Sequence, residues 1–225
     1  MTLYAPAVSP HGPTVVLVHG WGGHAGQMMA LAQALQLRGL RTVIMEMPAH
    51  GRSRGAESTL PQFTRAIDYV VARLRQQGHP VHALVAHSLG ASAGAFVASR
   101  GLPVQRLVLL APAASPPEYT RLFAQVFGLS ESTRAAMQGR IEAREGLLMP
   151  QFEPAAVGPG IRIPTLVVHD RDDSINRFAD GTAFSHAIGG AQLMATQGLG
   201  HRRILKDPAV LEAVADFAGR HNATA

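Results

Sequence analysis

Ser88, three aspartates at positions 170, 172 and 173, and His201 are the side chains of this 225-residue chain whose types and order could do nucleophilic chemistry. A serine hydroxyl is a poor nucleophile at neutral pH; it needs an imidazole to take its proton and a carboxylate to orient that imidazole. Ser88 lies in Leu84-Val85-Ala86-His87-Ser88-Leu89-Gly90-Ala91-Ser92-Ala93-Gly94, where an apolar run stops at the serine and a helix-like run of small residues begins. Such a junction presents a hydroxyl at the tip of a strand-to-helix turn, a nucleophile elbow. Taken alone, Ser88 could equally cap the helix that follows, because serine is a common N-cap. A base and an acid downstream tip the reading to catalysis. His201 ends Gln197-Gly198-Leu199-Gly200-His201, a glycine-rich loop able to aim an imidazole at a hydroxyl about 3 Å away. His87 has no chemical role in this reading and is taken as packing.

The elements that must position these residues alternate. Val15–Val18, Thr42–Met45, Val81–Val85, Leu107–Leu110, Thr165–Val168 and Gln192–Ala195 read as strands, most of them continuously apolar as expected for parallel strands covered on both faces. Helices are expected over Gln27–Arg38 with Gly39 as its stop, and over Leu60–Gln77 with Pro61 in its first turn and Gly78 beyond. Further helices follow over Ser88–Ser99, Arg177–Ala187 and Pro208–Gly219. Repeated strand–helix alternation predicts a parallel sheet with helices on both faces. Between Pro112 and Gly160 the alternation fails: Glu118–Phe127 and Glu131–Arg144, the second capped by Ser130, read as helices with no strand between. This stretch is a helical pad or, as preferred here, a lid, since ligands of such sheets bind beyond the carboxyl ends of the strands.

Four motifs in this order resemble the α/β-hydrolase fold family from about Thr14 to Gly219. They are His19-Gly20-Trp21-Gly22-Gly23 after the first strong strand, Pro48-Ala49-His50-Gly51-Arg52-Ser53 after the next, Ile163-Pro164 leading Thr165–His169, and Gly200-His201. The resemblance implies an α/β fold: an α/β-hydrolase-like, mostly parallel sheet flanked by helices, with a helical lid insertion at about 112–160, in one domain over residues 1–225. It also implies Ser88 as nucleophile, His201 as base, and the backbone N–H groups of Trp21 and Leu89 as oxyanion donors. For the acid, the family's spacing selects Asp173, four positions after His169; Asp170 and Asp172 remain open, and Asp180 is a remote candidate expected on an exposed helix face. The elbow departs from G-x-S-x-G by Ala86 in place of the first glycine. Serine at the elbow disfavours the dehalogenase and epoxide-hydrolase branches, which use aspartate. Trp21 either walls an acyl pocket or plugs the core.

Composition narrows the classes further. No cysteine is present, which excludes disulfides and thiol chemistry. The net charge of +5 comes from scattered arginines whose longest run is Arg202-Arg203, so no nucleic-acid partner is expected. No apolar run reaches the roughly 20 residues of a membrane span. The segment Met1–Pro6 lacks a basic, apolar leader, so a cytoplasmic location is expected. His169-Asp170 lacks zinc-like spacing, and the loose G-x-G-x-x-A of Gly20, Gly22 and Ala25 with Glu46 is too short a dinucleotide signal; no cofactor or metal is expected. Only Thr2–Ala5 could add an edge strand ahead of Val15, which leaves an edge a second copy could cover; a monomer or homodimer is expected. The activity expected is that of a serine hydrolase, carboxylesterase-like. It would act through an acyl-enzyme on a small, largely apolar ester, with thioesters or C–C bonds as less favoured substrates. The alternative is a ligand-binding protein of the same fold that turns over slowly or not at all. Phe123, Phe127, Met137, Leu147, Leu148, Met149 and Phe152 could line the pocket or form the lid's own core.

Overall fold

In each central strand, successive side chains divide between two cores, as the two-residue period of a pleated strand requires. Val16 and Val18 of β2 (Thr14–Val18) face one layer, Val15 and Leu17 the other, and all four are inaccessible to solvent. A computed structural model of the chain describes residues 1–5 and 12–220. Its seven strands are β1 (Thr2–Tyr4), β2, β3 (Arg41–Glu46), β4 (Val81–His87), β5 (Arg106–Leu110), β6 (Thr165–Asp170) and β7 (Gln192–Thr196). They run in the order β1-β3-β2-β4-β5-β6-β7, with β1 antiparallel to β3 and the rest parallel. The parallel sheet expected from the alternation is the one found, with one antiparallel strand at its edge.

One face is covered by α1 (Met29–Leu37) and α9 (Pro208–Gly219), through Leu31, Leu35, Val210, Val214 and Phe217. The other is covered by α2 (Leu60–Gln76), α3 (Leu89–Ser99) and α7 (Phe178–Ala187), through Phe63, Ile67, Phe96 and Phe184. Helix α2 carries a full capping box: Thr59 accepts from the Gln62 N–H while the Gln62 side chain accepts from the Thr59 N–H. Most strands run one or two residues beyond their expected bounds. β4 continues two residues past Val85, because Ala86 and His87 stay in register with Leu109 and Leu110; a histidine had broken the apolar run but not the ladder. Thr2–Tyr4 does form the extra edge strand, pairing Leu3 with Met45.

The stretch after β5 holds α4 (Pro116–Val126) and α5 (Glu131–Glu145), close to the expected bounds, with Ser130 accepting from the Thr133 N–H. From Leu147 onward the chain returns to the body. Phe152 is fully buried and stacks on Phe96 at 4.3 Å, and α6 (Pro154–Val157) buries Val157 in the same layer. Sequence could not separate Phe152 from Phe123 and Phe127. A single turn, α8 (Gly200–Arg203), precedes α9. No helix among the described residues is long and apolar enough to cross a membrane.

Candidate active site

Ser88 follows the last residue of β4 and precedes α3 with φ of 55° and ψ of −125°, a conformation rarely taken by a residue with a side chain. Such backbone strain costs about 1–3 kcal/mol and persists only where the surroundings enforce it. Here the Ser88 N–H donates to the Leu110 carbonyl, and its own carbonyl accepts from Ala91 and Ser92. Small neighbours make the turn possible: a methyl on Gly20 would stand 2.7 Å from Ser88 Cβ, and one on Gly90 2.5 Å from the His19 carbonyl oxygen. Ser88 makes no capping bond to α3, so the cap reading of this serine is not what the structure holds. Its hydroxyl faces His201 instead.

His201 Nε2 lies 3.0 Å from Ser88 Oγ, and His201 Nδ1 lies 2.7 Å from Asp173 Oδ2. A carboxylate accepts only, so Nδ1 carries the imidazole proton and Nε2 is left bare toward the serine. Asp173, the carboxylate selected by spacing, follows β6; its other oxygen accepts from the Ile175 and Asn176 N–H groups at 2.8 and 3.0 Å. Burial opposes its charge, yet hydrogen bonds from His169 and His201 outweigh burial and hold its pKa well below the usual carboxylate range.

The two alternative aspartates have other work. Asp170, fully buried, accepts from Thr196 Oγ1, Leu199 N–H and Gly200 N–H at 2.7, 3.1 and 2.9 Å, and Asp172 accepts from the Gly198 N–H at 2.9 Å. Together they shape the loop that carries His201, whose glycines 198 and 200 take φ of 80° and 65°. Neither pairs with Arg171, which stacks over the Phe178 ring. Asp180 is buried, not exposed as expected; the Tyr119 hydroxyl reaches it from α4, and burial raises its pKa.

His87, read from sequence as packing, touches the site directly. Its Nε2–H donates to the His201 carbonyl at 2.9 Å and its ring lies 4.6 Å from the His201 ring. A histidine inside a buried parallel strand is the signal that could have marked it, because a buried polar group needs a partner.

The loop after β2 is fixed by two neutral histidines. His50 Nε2 accepts from the Gly22 N–H at 2.9 Å, and His19 Nε2 accepts from the Met47 N–H at 3.2 Å. Their Nδ1 atoms face the carbonyls of Pro48 and Gly20. Glu46, the residue a dinucleotide reading would put on a ribose, accepts from Ala25 N–H, Arg52 N–H and the Tyr4 hydroxyl instead. Gly51, at φ of 50°, lies so close to this carboxylate that any side chain there would collide with it.

Ser88 and His201 open onto a cavity of about 530 Å³. Phe123, Phe127, Met137, Ile141 and Met149 line it, while Leu147 packs on the core and Leu148 is exposed. Trp21 is 66% exposed and lies on the cavity wall, which excludes the core-plug reading. Ser88, Asp173, His201 and Trp21 all follow the carboxyl ends of parallel strands, where ligands of open α/β sheets bind.

The sheet order and the placement of these residues define an α/β-hydrolase. Residues 9–151, more than half of the chain, match the family described as Hydrolase_4, serine aminopeptidase S33, and the chain belongs to that family. A pimeloyl-[acyl-carrier protein] methyl ester esterase of Xanthomonas oryzae pv. oryzae is 31% identical over 111 residues, which cover 49% of this chain and 40% of that esterase. The chain thus matches well under half of that relative's length. Among solved structures, Est1E from Butyrivibrio proteoclasticus with bound ferulic acid superposes with a TM-score of 0.77 at 22% identity, over 96% of this chain and 93% of Est1E. A monoacylglycerol lipase of Paleococcus ferrophilus gives 0.71 at 21% identity, over 97% and 99% of the two chains.

Proposed function

We propose that the chain is a serine esterase that cleaves small, largely apolar carboxylic esters through an acyl-enzyme. The hydrogen-bonded chain from Ser88 through His201 to Asp173 carries this reading, because it opens on an apolar cavity. Ser88 Oγ attacks the acyl carbon while its proton passes to His201 Nε2. The charge on the imidazole is stabilised by Asp173, a carboxylate that stays ionised. The tetrahedral oxyanion accepts from the N–H groups of Leu89 and Trp21. Leu89 is the first residue of α3, where backbone N–H groups lack partners within the helix and the helix dipole favours negative charge. Gly20, packed against Ser88, lets the Trp21 backbone come near. His201 returns its proton to the departing alcohol, then activates a water that releases the acid. Thioesters follow the same steps.

A fluorophosphonate probe tests the nucleophile. It is expected to label the wild-type protein once and to leave Ser88→Ala unlabelled; an unlabelled wild type, or equal labelling of the variant, removes the reading. An unlabelled wild type that is nevertheless thermally stabilised by ligands would favour a binding protein.

In this proposal α4 and α5 form the lid and supply the acyl-binding wall. Both are tied to the body at their ends: Glu145 accepts from Arg65 and Thr59, and Arg177 pairs with Glu118. The cavity volume falls within the range of about 300–1,000 Å³ typical of small-molecule sites. Filling it from the lid side with Met137→Trp is expected to lower kcat/KM for p-nitrophenyl octanoate relative to acetate by about tenfold. An unchanged ratio would place the acyl chain elsewhere.

A further inference from the structure

Asn176 is fully buried in the cavity wall, and every polar group it has is engaged. Its N–H donates to Asp173 Oδ1, and its carbonyl accepts from His169 Nε2 at 3.0 Å. Its side-chain amide nitrogen donates to the Ala111 carbonyl at 2.7 Å and stands 3.4 Å from Ser88 Oγ. Its side-chain oxygen accepts from the Tyr119 hydroxyl at 2.5 Å. The amide has one orientation only, because its reverse would set two acceptor oxygens 2.7 Å apart at Ala111. Ala111 is itself held at φ of 45°, a second strained residue beside the serine. One amide N–H is therefore spent on Ala111, and the other is left for Ser88 Oγ.

A serine oxygen has one proton and two lone pairs. With its proton aimed at His201 and one lone pair facing the Asn176 amide, the remaining lone pair is the one free to attack. The same N–H opposes the negative charge that grows on Oγ as the proton leaves. Tyr119 belongs to α4, and burial together with Asp180 keeps its hydroxyl protonated and able to donate.

We propose that Asn176 is a positioning residue for Ser88, and that Tyr119, acting through the Asn176 amide, couples helix α4 to the orientation of the nucleophile. The proposal rests on the reading of Ser88 as nucleophile. The insertion helix then does more than line the cavity: its seating prepares the serine for attack.

The test follows acylation of Ser88 in wild type, Tyr119→Phe, Asn176→Ala and the double variant. It uses the fluorophosphonate inactivation rate and the burst with p-nitrophenyl butyrate. Tyr119→Phe is expected to slow acylation per competent site about three- to tenfold, the worth of one hydrogen bond, with KM within about twofold. Asn176→Ala is expected to slow it by about tenfold or more, and the double variant to resemble Asn176→Ala because both act through one amide. A merely structural role would lower the melting temperature and the burst amplitude while leaving the per-site rate at the wild-type value. That result in both single variants overturns the proposal, as do fully additive losses in the double variant; in either case labelling of wild-type Ser88 still stands. Should Asn176→Ala fail to fold, Tyr119→Phe decides alone. A wild type that takes no label removes the nucleophile and this proposal together.

Discussion

Asp173→Asn is expected to lower kcat/KM for p-nitrophenyl butyrate about 10³–10⁴-fold, whereas Asp170→Asn is expected to act mainly on stability, with a far smaller loss of kcat/KM. The two carboxylates are three positions apart and both are buried, yet they face different partners. Asp173 receives the imidazole Nδ1–H, and an amide there would favour the tautomer with its proton on Nε2, unable to accept from Ser88. Its second oxygen keeps the Ile175 and Asn176 N–H bonds in the variant, so the turn survives. Asp170 receives three backbone N–H groups and a hydroxyl; an amide would lose charge-assisted bonds and turn a donor toward donors, costing about 2–4 kcal/mol. Kinetics and urea unfolding on both variants check this. Loss of activity confined to Asp170→Asn would exchange the two roles.

That distinction marks where sequence stops being sufficient. Ser88 and His201 were legible because each sits in a local pattern: an apolar strand ending in small residues, and glycines that let a loop turn sharply. Asp173 was legible only through a resemblance in spacing, since three carboxylates in His169–Asp173 are chemically alike until the loop at 198–200 folds over two of them. The sheet was readable because each strand carries its own apolar signature. Asn176 and Tyr119 were not readable at all: they meet across 57 residues, and nothing local to either announces the other. Asp180 was misread for the same reason, because its partner Tyr119 lies on α4, 61 residues away in sequence. In the stretch between β5 and β6, apolar content was visible but its direction was not, so Phe123 on the cavity and Phe152 in the core looked alike.

The histidine packed beneath the site should make the protein sensitive to mild acid. Burial, followed by repulsion from His201, pushes the His87 pKa down to about 3. The unfolded chain binds this proton near pH 6.5 and the folded chain does not, so unfolding takes up a proton between those values and stability falls as pH falls through that window. From pH 7 to pH 5 the loss from this residue is about 2 kcal/mol. His19, also lowered by burial, adds in the same direction. His87→Gln keeps a donor for the His201 carbonyl but cannot titrate, so its unfolding free energy is expected to decline less between pH 7 and pH 5, by about 2 kcal/mol. Urea unfolding of both proteins at the two pH values measures the difference. Equal declines would mean that His87 is protonated in the folded chain as readily as in the unfolded one, which its buried contact with the His201 ring should forbid.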